Sequence, residues 1–348
     1  MLHYFKGSLF FTLACLALGV WYGWSTTHSI GATFEMLWII VVLSILEISL
    51  SFDNAVVNAT VLEDMDEIWQ RRFLTWGMAI AVFGMRVAFP LAIVAIAAGI
   101  GPADAVRLSL RDPQEYERIV SSAHVGIAGF GGAFLALVGS KFFFDREKDV
   151  HWITMIEEKL ATFSHIASVE IALLLLTMFG ISLLLPAEEA LTFLVAGMMG
   201  IVTFVAVEGI STFLELREEA AKARGAIITS GLGGFLYLNV LDASFSFDGV
   251  IGAFALSNNM VVIALGLSIG AMFVRSLTIM LVQKGTLAEY RYLEHGAFWA
   301  ILALGGIMLL SAYYSIPETV TGLIGAVLIG ISFWWSVRHN RRQEVTPD

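Results

Sequence analysis

Residues 46–59 read L-E-I-S-L-S-F-D-N-A-V-V-N-A, and residues 241–253 read L-D-A-S-F-S-F-D-G-V-I-G-A. Aligned without gaps, Glu47 stands over Asp242 and Asp53 over Asp248. Ser49, Ser51 and Phe52 stand over Ser244, Ser246 and Phe247. Each copy lies inside an apolar run long enough to cross a bilayer. Acids at such a position are costly. An ionised carboxylate at the bilayer centre costs about 2.5–3.5 kcal/mol, so four of them cost roughly 10–14 kcal/mol. A bound cation, water, protonation or an intramembrane base has to offset that.

Composition sets the class. Of 348 residues, 58% are hydrophobic and 14% charged, and the mean hydropathy is +0.80. Soluble domains carry about 45–50% apolar and about 25% charged residues. The expected fold class is therefore an all-α polytopic membrane protein. With one cysteine, Cys15, the chain has no intrachain disulfide and no cysteine metal cluster. No zinc-finger spacing, phosphate-binding glycine loop, G-x-S-x-G or basic nucleic-acid patch occurs. No prosthetic group and no nucleic-acid partner is expected.

Apolar runs of about 17–25 residues place ten helices, within a range of eight to ten, near 8–24, 35–62, 74–100, 123–144, 166–185, 189–211, 226–257, 259–283, 297–315 and 319–337. The first resembles a signal peptide behind Lys6, but the sequence after it, Ser25-Thr26-Thr27-His28, offers no small-x-small cleavage site, and it is read as a helix. The second and seventh runs are too long for one straight crossing, and breaks are expected at their serine clusters. Fifteen Lys and Arg residues fall at the two ends and in the even-to-odd connections, from Lys6 and Arg71 to Lys284 and Arg342. The opposite side holds only Arg107, Arg111 and Arg118. That bias places both termini in the cytoplasm. The 101–122 loop is amphipathic enough to form a surface helix.

The echo continues downstream. Arg86 follows the first motif within G-M-R-V-A-F-P-L, and Arg275 follows the second within M-F-V-R-S-L-T-I-M. His124 and His295 then open the third helix of each set. A three-helix unit thus occurs twice, five crossings apart and so inverted. Inverted repeats with interrupted helices at their interface mark transporters whose site lies near the midplane. The expected organisation is a leading helix and linker (1–34), a first repeat (35–144), an amphipathic cytoplasmic segment with two linking helices (145–225), an inverted second repeat (226–315), and a last helix with tail (316–348).

Four acids against Arg86 and Arg275 leave a local negative excess, which a divalent cation would balance. The competing reading is two structural Asp–Arg pairs that hold helices together. Glu47 and Asp53 are six residues apart, about 120° apart in direction on an intact helix. Either the chain unwinds around residues 49–51, or Asp53 and Asp248 meet across the pseudo-twofold with Glu47 and Asp242 a layer away. The central pair is expected to be Asp53 and Asp248, with Asn54 as an amide ligand in one half only. Oxygen ligands suit hard cations. Glu170 and Glu208 read equally as proton relays or interface residues, and His124, His165 and His295 sit at helix ends. Asn58 and Asn239 flank the motifs and are expected to bond between helices. The glycines at 129, 131, 132, 231, 233 and 234 are expected to permit close helix contact.

The segment E-I-S-L-S-F-D-N at 47–54 resembles the E-x-x-L-S-x-D-N motif of the TerC (tellurium-resistance) membrane protein family. The stretches S-F-S-F-D-G-V-I-G-A-F-A-L-S at 244–257 and R-Y-L-E-H-G-A-F-W-A at 291–300 are similar to its second half. The likeness spans about residues 35–337 and points to a longer TerC-related branch described as a domain of unknown function. It implies an inverted-repeat inner-membrane protein concerned with Mn²⁺ export, metal homeostasis or tellurite resistance. Glu47, Asp53, Asn54, Asp242 and Asp248 fall on the family's intramembrane acidic positions. The 101–122 loop, the 166–211 insert and the leading helix depart from the pattern, so ion choice does not transfer automatically.

The expected function is a divalent-cation transporter, with Mn²⁺ as cargo and Arg86 and Arg275 filling the site when it is empty. His124, His295, Glu170 and Glu208 are supporting or ion-path candidates. The alternative is a non-transporting partner protein docking through residues 145–165, in metal or tellurite stress or in metalation of exported enzymes. No protease motif is present, and the chain is read as not an enzyme.

Overall fold

The computed structural model describes residues 2–63, 65–77, 79–144, 150–163, 168–223, 231–254, 256–257, 259–314, 316 and 318–345. Among these residues the chain forms helices and no strand. Helix α1 (Leu2–Thr27) turns back on α2 (Ile30–Leu50) through His28, which takes a left-handed φ of 49°, and Ser29, whose hydroxyl caps Ala32. After Ser51 comes α3 (Phe52–Glu63), then α4 (Glu67–Arg72). Two π-helical segments follow, π1 (Phe73–Gly77) and π2 (Ile80–Ala88), leading into α5 (Phe89–Ala98). Next are α6 (Pro102–Arg111), α7 (Pro113–Ser122) and α8 (His124–Phe143). A short α9 (Thr154–Phe163) precedes α10 (Val169–Ser182) and the 37-residue α11 (Ala187–Ala223). The rest is α12 (Leu232–Ala253), α13 (Met260–Lys284), α14 (Thr286–Glu289), α15 (Leu293–Ser311) and α16 (Glu318–Val345).

Among the described residues, seven helical stretches are long and apolar enough to cross a membrane: 3–27, 30–49, 67–96, 124–143, 187–214, 260–284 and 293–311. Of the other three expected spans, 166–185 and 226–257 correspond to the shorter apolar helices Val169–Ser182 and Leu232–Phe245. The third, 319–337, lies within α16. The outer faces are apolar: Phe10, Trp21, Leu176, Leu183 and Leu323 are all exposed, while Glu47, Asp53 and Arg86 are buried. Apolar outside and ionic inside suits lipid as the solvent. The molecule is an all-α multi-pass membrane protein.

One of the two expected breaks is present. The run from Ile30 to Glu63 would be roughly 50 Å long as a straight helix, against a hydrocarbon core of about 30 Å. It breaks at Ser51, whose φ of −102° and ψ of 20° close α2. Helix α12 runs unbroken through Asp242 and Asp248. Its 22 residues span roughly 33 Å, one crossing, so nothing forces a bend. The 101–122 loop forms two amphipathic helices, α6 and α7, which bury Ala105, Ser109, Tyr116 and Val120 against α5 and the end of α12.

Contacts are exchanged between the two sets of helices. Helix α13 packs on α2 and α3, and α12 packs on π2; α15 packs on α3, and α8 on α12; α8 and α15 pack on each other. Helix α8 is held between α11 and α15. Glycines set the α8–α15 distance: a Cβ on Gly305 would lie 2.6 Å from the Ala136 nitrogen and 3.1 Å from the Gly132 oxygen. Small residues at such crossings let backbones approach in lipid, where no hydrophobic force pushes helices together. Gly305→Leu is therefore expected to cost about 1–3 kcal/mol, read as a lowered melting temperature in detergent, whereas the same change at the uncontacted Gly306 leaves it nearly unchanged.

Candidate functional site

The site grows from the break at Ser51. Its amide bonds the Glu47 carbonyl at 3.0 Å, and its hydroxyl reaches Glu47 Oε1 at 3.2 Å. The kink therefore fixes the carboxylate as well as the helix. Arg86 arrives from π2, just ahead of Pro90, which has no N–H to offer the carbonyl four residues back. A π turn there accommodates the missing bond, and such turns are frequent at functional sites. Arg86 Nη1 donates to the Ala81 carbonyl at 2.7 Å, and Nη2 donates to Glu47 Oε1 at 2.5 Å. Both side chains are about 4% exposed.

Glu47 is walled in by two glycines. A Cβ on Gly270 of α13 would collide with the Glu47 Cβ and Cγ, and one on Gly249 of α12 would lie 2.9 Å from Oε2. Gly249 is the counterpart of Asn54 in the second motif. The asymmetry of the echo thus has a steric origin: an asparagine at 249 would occupy the space of the Glu47 carboxylate.

Beside this pair is a cavity of about 30 Å³ lined by Ser51, Asn54, Asn58, Arg86, Asp242 and Arg275, with Phe73, Ala81, Val274 and Thr278 among its apolar and hydroxyl walls. About one to two waters, or one small ion, fit such a volume. Asn54 and Asn58 stand one turn apart on α3 and are 4% and 5% exposed. Their Oδ1 atoms have no hydrogen-bond partner, nor have Arg86 Nε and Arg275 Nε. Asp242 makes no hydrogen bond or ion pair among the described residues. Buried polar atoms rarely stay unpaired, and each unsatisfied one calls for an explanation.

Not every expected residue converges here. Asp53 is buried, but it accepts from the Asn54 amide at 2.9 Å, and its Oδ2 lies 3.6 Å from the Cβ position of Gly325 on α16. It does not line the cavity. Asp248 lies on α12 with its side chain outside the described residues. The described residues assemble Glu47 and Asp242 with both arginines around the cavity; the expected Asp53–Asp248 pairing falls in part on the Asp248 side chain, which lies outside them. No group of three or more His, Cys, Asp or Glu converges as a metal ligand set among the described residues.

The path candidates have local roles. Glu208 of α11 pairs with Lys141 of α8, bracing that helix pair. Glu170 lies in the first turn of α10, and His124 opens α8. His165 and residues 145–149 are outside the described residues. His295 belongs to a cluster at the loop before α9 that sequence reasoning missed, centred on Glu157. That carboxylate, 1% exposed, accepts from the Trp152 and Ile153 amides at 3.0 and 3.3 Å and from Trp299 Nε1 at 3.0 Å. His295 Nε2 lies 2.8 Å from the Val150 carbonyl and 3.6 Å from Glu157. The signal was present as an acid flanked by Trp and His, but its side-chain donor Trp299 is 142 residues away.

The fold and this site define a class, a multi-pass α-helical membrane protein with a buried ionic and amide cluster at the crossing of its repeated helices. The chain belongs to the family described as a protein of unknown function (DUF475), which matches residues 52–343. No curated protein and no solved structure matches it.

Removing one partner of a buried ion pair leaves an uncompensated charge. Arg86→Ala alone is expected to cost about 3–5 kcal/mol, while the Glu47→Ala/Arg86→Ala double variant recovers much of it; thermal unfolding of the four forms measures the coupling. Glu157→Ala strips three buried donors of their acceptor, at about 1–3 kcal/mol for each orphaned group. Protease cleavage within 150–163 should accelerate in that variant while the transmembrane core stays resistant.

Proposed function

We propose that this chain is a divalent-cation transporter of the cytoplasmic membrane, related to the TerC proteins, with Mn²⁺ as its cargo. The cavity carries this reading: a void between the two motif helices, inside a lipid-facing bundle, with Asp242 on its wall and two amide oxygens lacking hydrogen-bond partners. Oxygen donors of this type suit hard divalent ions. The reciprocal packing of 35–144 against 226–315 supports an inverted repeat, and the Lys/Arg asymmetry supports cytoplasmic termini.

Arg86 then acts as a resident counter-ion. It neutralises Glu47 in the state seen here. A cation entering beside Asp242, Asn54 and Asn58 repels the guanidinium and leaves Glu47 free to complete the shell. Arg275 guards the same cavity from α13. Asp53 and Asp248 keep the role that their motif positions imply, as acids further along the path. The alternative, a non-transporting partner protein, draws on α9, where Met155 and Ile156 are exposed.

Mn²⁺ flux into proteoliposomes tests the proposal. Asp242→Asn, and separately the Asp53→Asn/Asp248→Asn pair, are expected to reduce flux to the protein-free background. Wild-type flux in both, or none in the native protein, would overturn it.

A further inference from the structure

A second cavity, separate from the ionic cluster, lies beside α1 and is also walled by Val82, Phe83 and Val87 of π2 and Leu91 of α5. It has about 400 Å³ of space and apolar walls, within the ~300–1,000 Å³ range of ligand pockets. On α1 its lining is Phe11, Cys15 and Leu18; on α13 it is Met260, Ala264 and Ser268. Spacings of three, four and eight residues each define a single helix face. The groove therefore runs along the helix axes for roughly 12 Å, the rise of eight residues. That direction is the direction of an acyl chain in a bilayer. Amphipathic α6 closes its mouth with Val106 and Leu110, which are 40% and 56% exposed.

The mouth adjoins a polar depression of about 520 Å³ lined by Arg111, Asp112, Gln114, Ser257 and Asn259. The two spaces are continuous in sequence at Leu110–Arg111 and at Asn259–Met260. Three arginines lie on this amphipathic pair. Arg107 is bound to Asp104 at 3.0 Å and Arg118 to Glu115 at 2.6 Å. Arg111 makes no ion pair among the described residues. Asp112 is exposed and also lines the depression, but its Oδ1 is engaged, accepting from the Glu115 amide at 3.1 Å as the cap of α7. The depression thus presents a spare guanidinium above an apolar slot.

We infer that this groove and depression form a binding site for one anionic glycerophospholipid, with an acyl chain between α1 and α13 and its phosphate on Arg111. Guanidinium–phosphate contacts are charge-assisted and directional. The lipid wedges α6 against α1 and α13, so it serves as a structural cofactor of the amphipathic loop. This inference is independent of the transport proposal.

Native mass spectrometry of the delipidated full-length protein is the test. Phosphatidylglycerol should add one lipid mass per chain, with phosphatidylcholine binding about tenfold more weakly. Arg111→Gln should abolish that preference, and Ala264→Trp should prevent binding of either lipid. Cys15, the sole cysteine, provides a second readout in the unaltered protein: phosphatidylglycerol should slow its labelling by a small maleimide. Equal binding of both lipids, retention after Ala264→Trp, or unchanged Cys15 labelling would overturn the inference. So would a lipid-free dimer in which Cys15 is already protected, since a second copy would then be the occupant.

Discussion

The contact between Glu47 and Arg86 is the constraint around which the bundle is arranged. Two opposite charges at this depth in lipid are affordable only together, and only with their remaining hydrogen bonds made. The surrounding sequence supplies those conditions from three directions. Ser51 gives the carboxylate a second donor and breaks the helix at the same time. The π turn ahead of Pro90 exposes the Ala81 carbonyl to the other arm of the guanidinium. Gly249 and Gly270 clear the volume that the carboxylate occupies. None of these features is explained by helix propensity alone, and all of them follow from the need to seat one ion pair.

Against that fixed pair, the neighbouring cavity is under-bonded. Two asparagine oxygens, the Nε atoms of Arg86 and Arg275 and the Asp242 carboxylate share a small void, while Glu47 and the Nη atoms of Arg86 are engaged. The contrast separates a structural half of the cluster from a responsive half. It also separates three of the motif acids: Glu47 is committed to an arginine, Asp242 opens on the cavity, and Asp53 faces α16. Equivalent positions in a duplicated sequence have taken on different environments, since Gly249 could make room for only one large neighbour.

Much of this was legible beforehand. Hydrophobicity, the doubled acidic motif and the paired arginines define the helical class and the helices that meet, because those signals are local and carry a high desolvation cost. The kink at Ser51 was legible too, since a 28-residue apolar run is too long to cross straight. What escaped was long-range. Helical phase on α3 turns Asp53 away from Asn54 and Asn58, and only the packing of α16 shows where it goes. The continuity of α12 depended on where that helix begins. Glu157 looked like one acid in an amphipathic stretch, and its buried role depends on Trp299 from a distant helix. Periodicity reports which face of a helix is apolar but not which neighbour the polar face will meet.

The π-helical turn that carries Arg86 has a mechanical consequence. It holds one more residue than an ordinary turn, and such a surplus can be passed along a helix by trading hydrogen bonds one at a time. Each step rotates the residues it passes by about 100°. A shift of that surplus past Arg86 would turn its guanidinium relative to Glu47, so the segment that carries the charge is also the one with backbone to spare.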